Sequence, residues 1–335
     1  MKTKKKSSRR EELLGQAKNA FTIGDLSSAE KIAGDLIREE PAFPSAYILL
    51  GTVYGKQRLY PDAIRQFEKA LELQPDSAEA LNNLGVMYRQ TGKLGQSLKS
   101  VEKSLELKPG SADMWYNLGN IHKMDDNIPA AVEAYTKAVE LDPEFVLAYN
   151  NLGTLYEKVG DYAKAADVFN QGLRSDPNHP TLRYNLGIAL QARGDLEGAR
   201  KQFELSVRSR PGWTDGLNNL GIVLQQMEKF DEAVAVFKEI LLIDPKNVTA
   251  NNNIATILAQ QGRAKEAIDY YRKALDENPG YRKAAVNLGQ ILEKQEISDE
   301  VIENLKLLVS HNPENTELRL QLAGAHLPVE LLRER

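Results

Sequence analysis

The sequence predicts an all-α solenoid, a stack of antiparallel helix pairs, and three observations predict it. Nine of the 14 prolines stand on one ladder, Pro41, Pro75, Pro109, Pro143, Pro177, Pro211, Pro245, Pro279 and Pro313, each 34 residues after the last with no insertion. Small residues recur in the same register, and so do large aromatic ones. A period of this length marks a repeat architecture, because a single helix pair cannot bury its apolar face alone and stacks on the next.

Taken in order, each element follows from its residues. Residues 1–9, with Lys2, Lys4, Lys5, Lys6 and Arg9 and then Arg10, are expected to form a basic, flexible, solvated tail, since no apolar run follows to make a secretory signal. From there the chain reads as nine units, 10–43, 44–77, 78–111, 112–145, 146–179, 180–213, 214–247, 248–281 and 282–315, each counted so that its ladder proline is position 32. Position 8 is Gly51, Gly85, Gly119, Gly153, Gly187, Gly221, Ala255 and Gly289, and position 20 is alanine from Ala29 to Ala267 apart from Ser97. Small residues at both positions let the two helices of a unit approach closely. The large residue at position 24, Phe67, Tyr135, Phe169, Phe203, Phe237 or Tyr271, fills the space beside that contact. A bulky side chain at Gly153 is expected to overpack, at about 1–3 kcal/mol. Turns such as Gly160-Asp161-Tyr162 and Gly194-Asp195-Leu196 put glycine where the first helix ends, a position that favours a left-handed backbone. The ladder proline then closes the second helix, because the residue before a proline is pushed out of helical conformation.

Segments such as AYNNLGTLYEKVGDYAKAADVFNQGLRSDP, Ala148 to Pro177, resemble tetratricopeptide repeats in length, order and key residues. The resemblance covers residues 10–315 and implies a right-handed superhelical solenoid of helix-turn-helix units. The end units depart from the pattern, as terminal repeats with one neighbour do. The first has Gln16 and Ala17 where leucine and glycine are usual, and the ninth has Glu296, Ser298 and Val301 at its turn and small-residue positions. Residues 316–327 read as a capping helix with Leu318, Leu322 and Ala325 on one face, ended by Pro328. Residues 329–335 are apolar enough to want a partner, which leads to the expectation that the chain continues or that this end self-associates.

In tetratricopeptide repeats the first helices line a concave groove, chiefly through positions 2, 5, 6, 9, 12 and 13, and that is what the resemblance implies here. Position 6 is an unbroken series, Asn83, Asn117, Asn151, Asn185, Asn219, Asn253 and Asn287. A carboxamide offers a donor and an acceptor together, matching the N–H and C=O of an extended peptide whatever its side chains. With adjacent first helices roughly 10 Å apart and an extended chain advancing about 3.3–3.6 Å per residue, such a ladder would hold every third residue. The series resembles the asparagine ladder in the repeat arm of O-linked N-acetylglucosamine transferase, which implies a groove that grips protein segments by their backbone. Asn-Leu-Gly also belongs to the general repeat consensus, so the alternative is that these side chains contact no ligand. Ordering three partner residues per unit costs roughly 3–6 kcal/mol, whereas two amide hydrogen bonds return about 1–3 kcal/mol, so side-chain anchors are needed as well. Position 5 supplies the candidates: Tyr116 and Tyr184, interspersed with Asn82, Asn150, Asn218 and Asn252. The alternative for the tyrosines is packing on the next helix.

Charge in the groove reads as mixed, with Lys56, Arg89, Lys123, Lys158 and Lys294 against Glu79, Asp113, Glu157, Asp215 and Glu293. Position 5 is never basic, so the carboxylate clamp of chaperone-adaptor repeats is not expected. Over the whole chain 43 basic residues face 47 acidic ones, which gives no field for nucleic acid or an anionic membrane, and neither partner is expected. No stretch approaches the apolar length of a membrane span, and there is no cysteine; both fit a cytoplasmic protein. His122, His179, His311 and His326 are scattered without ligand spacing, and Asp125, Asp126 and Asn127 replace the fourth unit's Gly-Asp turn rather than starting a calcium loop. Asn247-Val248-Thr249 matches a glycosylation acceptor, relevant only to a secreted protein. No cofactor, metal or catalytic residue is therefore expected. The function that fits is a protein–protein interaction scaffold, not an enzyme, holding an extended or helical segment of a partner. Two alternatives are the substrate-recruiting or regulatory arm of a glycosyltransferase or other multidomain enzyme, and a self-assembling structural scaffold.

Overall fold

The structure, a computed structural model, describes residues 2–293, 299–316, 318, 319 and 322. Among the described residues there are 18 helices and no strand. The first helices of the nine pairs are α1 (Lys2–Thr22), α3 (Pro44–Lys56), α5 (Ala78–Gln90), α7 (Ala112–Met124), α9 (Val146–Lys158), α11 (Pro180–Ala192), α13 (Thr214–Gln226), α15 (Val248–Gln260) and α17 (Arg282–Glu293). The second helices are α2 (Leu26–Glu39), α4 (Tyr60–Leu73), α6 (Leu94–Leu107), α8 (Ile128–Leu141), α10 (Tyr162–Ser175), α12 (Leu196–Ser209), α14 (Phe230–Ile243), α16 (Ala264–Glu277) and α18 (Asp299–His311). The chain forms two compact units, residues 1–176 and 177–335. Within each, a first helix packs on its own second helix, and that second helix on the next first helix.

The predicted close approach is present in the first eight pairs. Phe67, Tyr135, Phe169, Phe203, Phe237 and Tyr271 are at most 1% exposed, and the position 20 residues from Ala29 to Ala267 are fully buried. A Cβ added at Gly221 would lie 2.5 Å from the Phe237 ring, and one at Gly119 2.6 Å from the Tyr135 ring; at Gly153 it would run into Phe169. In the third unit, where Val101 replaces the aromatic, Ser97 Oγ donates to the Gly85 carbonyl at 2.6 Å and ties the same two helices.

Both helix boundaries fall where the sequence puts them. The residue ahead of each ladder proline leaves helical conformation, as at Gln74 (φ −140°, ψ 87°) and Asp142 (φ −132°, ψ 93°). The turn between paired helices is left-handed at Gly24, Gly92, Gly160, Gly194 and Gly262, and equally at the non-glycine residues Arg58, Asp126 and Glu228. One residue on, Asp25, Asn127, Asp161 and Asp195 cap the second helix, each accepting from the backbone N–H three residues further along. Asp126 and Asn127 thus serve a turn and a cap.

Helix α1 runs from Lys2, so residues 2–9, expected as a basic tail, lie in its opening turns. Lysine, arginine and glutamate are good helix formers, and no glycine or proline interrupts the run before Gly15. At the other end Leu318 is fully buried and Leu322 packs on the same core, while Glu296, Ser298, Ala325, Pro328 and residues 329–335 lie outside the described residues.

Candidate functional site

Positions 5 and 6 fall side by side on the middle turns of the first helices, and the structure joins them in pairs across neighbouring units. Within residues 1–176, Asn117 Nδ2 donates to Asn82 Oδ1 at 3.0 Å, and Asn151 Nδ2 donates to the Tyr116 hydroxyl at 3.2 Å. Within residues 177–335, Asn219 Nδ2 donates to the Tyr184 hydroxyl at 2.8 Å, and Asn253 Nδ2 to Asn218 Oδ1 at 3.1 Å. Each pair is 35 residues apart, so a position 6 amide reaches back to the position 5 acceptor of the unit before it. Asparagine and tyrosine are interchangeable at position 5 because both present an acceptor at that spot. On the same helix Asn82 Nδ2 donates to Asn83 Oδ1 and Asn252 Nδ2 to Asn253 Oδ1, at 3.4 and 3.2 Å. Asn82, Asn185 and Asn252 are buried, and the remaining members, Asn150 and Asn287 among them, are half-buried.

The tyrosines are bonded to the next first helix and also pack on the residue that caps it. The Tyr116 ring lies 4.9 Å from Phe145, and the Tyr184 ring 4.6 Å from Trp213, centroid to centroid. Phe145 and Trp213 are the N-cap residues of α9 and α13. Where position 5 is asparagine, the equivalent cap is often a polar side chain instead: His179 Nδ1 accepts from Leu182 N–H and Asn247 Oδ1 from Ala250 N–H.

Two buried tyrosines of the second helices, Tyr135 and Tyr271, support this face from beneath, a role their place among the position 24 aromatics does not announce. The Tyr135 hydroxyl donates to Asn120 Oδ1 at 2.8 Å and lies 3.4 Å from Asn151 Nδ2, so that Asn151 meets three acceptors at once. The Tyr271 hydroxyl lies 3.1 Å from Thr256 Oγ1 and is also hydrogen-bonded by Asn287. Burial pushes both phenols up, so each is a neutral hydroxyl. The legible signal is a hydroxyl in a row otherwise held by phenylalanine, paired with Asn120 or Thr256 at position 9. Beside Tyr271 a hollow of about 470 Å³ is lined by Thr256, Gln260, Asn287 and Gln290. A second ladder edges this face in residues 177–335, where Gln191 Nε2 donates to Gln226 Oε1 at 2.8 Å and Gln225 Nε2 to Gln260 Oε1 at 3.0 Å.

The charges do not pair off as their mixture suggests. Lys158 meets Asp126 at 2.6 Å, while Lys56, Arg89 and Lys123 form no ion pair among the described residues. Glu157 Oε1 is buried without a partner, and burial pushes its carboxyl up to about 7. No group of histidine and acidic residues among the described ones is arranged to hold a metal, and no described helix is long and apolar enough to cross a membrane.

Paired helices in fixed register, with a carboxamide-lined first-helix face, define a helical-repeat scaffold of the kind that mediates protein–protein interaction. The chain belongs to the tetratricopeptide-repeat family, whose profile matches residues 48–112, 91–144, 116–180, 150–212 and 218–282, together well over half its length. Among solved structures it is similar to YrrB, a TPR protein with an unusual peptide-binding site, at 25% identity and a TM-score of 0.50, over 56% of this chain and 96% of that one. The C-terminal part of a TPR repeat-containing protein from Cytophaga hutchinsonii shares the fold, at 18% identity and a TM-score of 0.60, over 72% of this chain and 99% of that one. A curated relative, protein O-mannosyl-transferase TMTC1 of Mus musculus, is 34% identical over 77 residues. That stretch is 23% of this chain and spans only 8% of the mouse protein's length.

Proposed function

We propose that the first-helix face holds an extended segment of a partner protein, gripped along its backbone by the asparagine series with side-chain contacts beside it. The observation that carries this reading is the orientation of the amides. Each inter-unit bond fixes a carboxamide at no cost to the guest, and on Asn117 and Asn219 it leaves the second amide hydrogen and the carbonyl oxygen for a peptide. The likeness to YrrB supports the same class of ligand. Residues 1–176 and 177–335 each carry such a face, and the reading applies to each by itself.

The experiment is a selection of extended peptides from a display library, followed by affinity measurements on an Asn117→Ala, Asn219→Ala double variant. Each lost pair of amide contacts should weaken binding by about 1–3 kcal/mol, with helix content unchanged by circular dichroism. Equal affinity for a well-folded variant would remove the asparagines from the binding surface.

The match to the mouse transferase favours one second reading, in which these repeats recruit substrate for a glycosyltransferase. In that case the selected peptides should be acceptors for a catalytic domain encoded with, or co-purifying with, this chain. Co-purification from the native source, followed by a glycosyl-transfer assay on the selected peptides, separates the two readings.

A further inference from the structure

Arg89 and Lys123 occupy position 12 on α5 and α7, two first helices in direct contact. Arg89 is half-buried; its Nε is closed off from solvent and has no hydrogen-bond partner, and its guanidinium makes no ion pair among the described residues. The Lys123 ammonium has one contact, the neutral Oδ1 of Asn151 at 3.3 Å. Its pKa is pushed down by burial first and by the Arg89 charge second, and no carboxylate offsets either. Arg89 is half-buried and Lys123 exposed at its rim; two like charges on touching helices repel, and neither has an anion beside it among the described residues. Beneath them lies the fully buried Tyr135, whose hydroxyl feels the Arg89 charge and donates to Asn120.

We propose that Arg89 and Lys123 form the receptor for one acidic side chain, aspartate or glutamate, of the polypeptide held on the first-helix face of residues 1–176. The proposal rests on the peptide-binding reading above and names what one subsite of that face selects. A planar guanidinium and an ammonium offer several donors to a carboxylate's two oxygens, and such charge-assisted bonds are the stronger kind. The subsite is bounded: along position 12 the preceding unit has Gly55 and the following unit Glu157. A run of acids would therefore meet Glu157, so the site takes a single acid in one register. The chain's net charge of −4 supplies no general attraction for anions that would blur this choice.

The test uses the full chain and a random twelve-residue display library. Wild type should enrich aspartate or glutamate at one position of the aligned binders. An Arg89→Gln, Lys123→Gln double variant should lose that enrichment, and its affinity for an acidic binder should fall by at least about tenfold, while the same peptide with glutamine in place of the acid changes by less than about twofold. A Lys99→Gln, Lys103→Gln variant on α6, with the same change in net charge, should bind like wild type. Binders without acidic enrichment, or enrichment that survives in the Arg89, Lys123 variant, overturn the receptor and leave the peptide-binding face standing. A library that yields no binder sensitive to the Asn117→Ala, Asn219→Ala change overturns both.

Discussion

Single residues in this chain do double duty, and asparagine shows it most clearly. The series at position 6 was legible because the period is unbroken, but its partners were not: a 35-residue spacing between Asn117 and Asn82, or between Asn219 and Tyr184, becomes a contact only once the first helices are stacked. The same stacking gives Tyr116 and Tyr184 a cap aromatic to lie on, so a residue that reads as an anchor is also an internal bracket. Glu157 was legible only as a charge. Its carboxyl is pushed up to about 7 by burial, with no charged neighbour contributing. A raised folded-state value favours the protonated acid in the folded chain. The contribution of Glu157 to stability is therefore fully present below about pH 4.5 and is lost as pH rises through about 7. Glu157→Gln should stabilise the protein more at pH 8 than at pH 5, read from urea midpoints at the two values. An equal effect at both would mean that the carboxyl titrates normally.

Between residue and molecule the unit is the helix pair with its turn. Its boundaries were readable because three separate signals agree: a small residue at position 8, a turn residue, and a proline that stops the second helix. Each of the eight described turns within a pair has a left-handed residue, and five of the eight are glycine. Arg58, Asp126 and Glu228 hold the same conformation with a side chain, at a cost of about 1–2 kcal/mol. Asp126 has a compensation in its ion pair with Lys158, and Glu228 has no ion pair among the described residues. Glu228→Gly should accordingly raise the thermal midpoint, by the few degrees that roughly 1 kcal/mol produces in a chain this size. A lower midpoint would show that the Glu228 side chain makes a stabilising contact. The opening of α1 is less legible for the opposite reason. A lysine-rich run has no apolar stripe to announce a helix, and only its propensity and its continuity with the core-bound residues from Leu14 onward carry the helix back to Lys2.

At the scale of the whole molecule, repetition of one supersecondary unit explains why composition and charge say so little. Stability accumulates between neighbours, so no central core fixes the chain, and specificity is left to whatever varies between copies of the first helix. What varies here is the side-chain set beside a constant carboxamide: Arg89, Lys123 and Glu157 along one row, and Gln191 and Gln225 in the same position further on. A scaffold built this way should read a partner by register, with the backbone held uniformly and a few side chains selected. The most direct test is photo-cross-linking. A benzophenone amino acid placed at Gln90 or Gln226, exposed on the first helices α5 and α13, should capture a selected peptide, whereas the same probe at Glu102 or Glu239 on the second helices α6 and α14 should not. Capture from the second helices, with none from the first, would contradict the account.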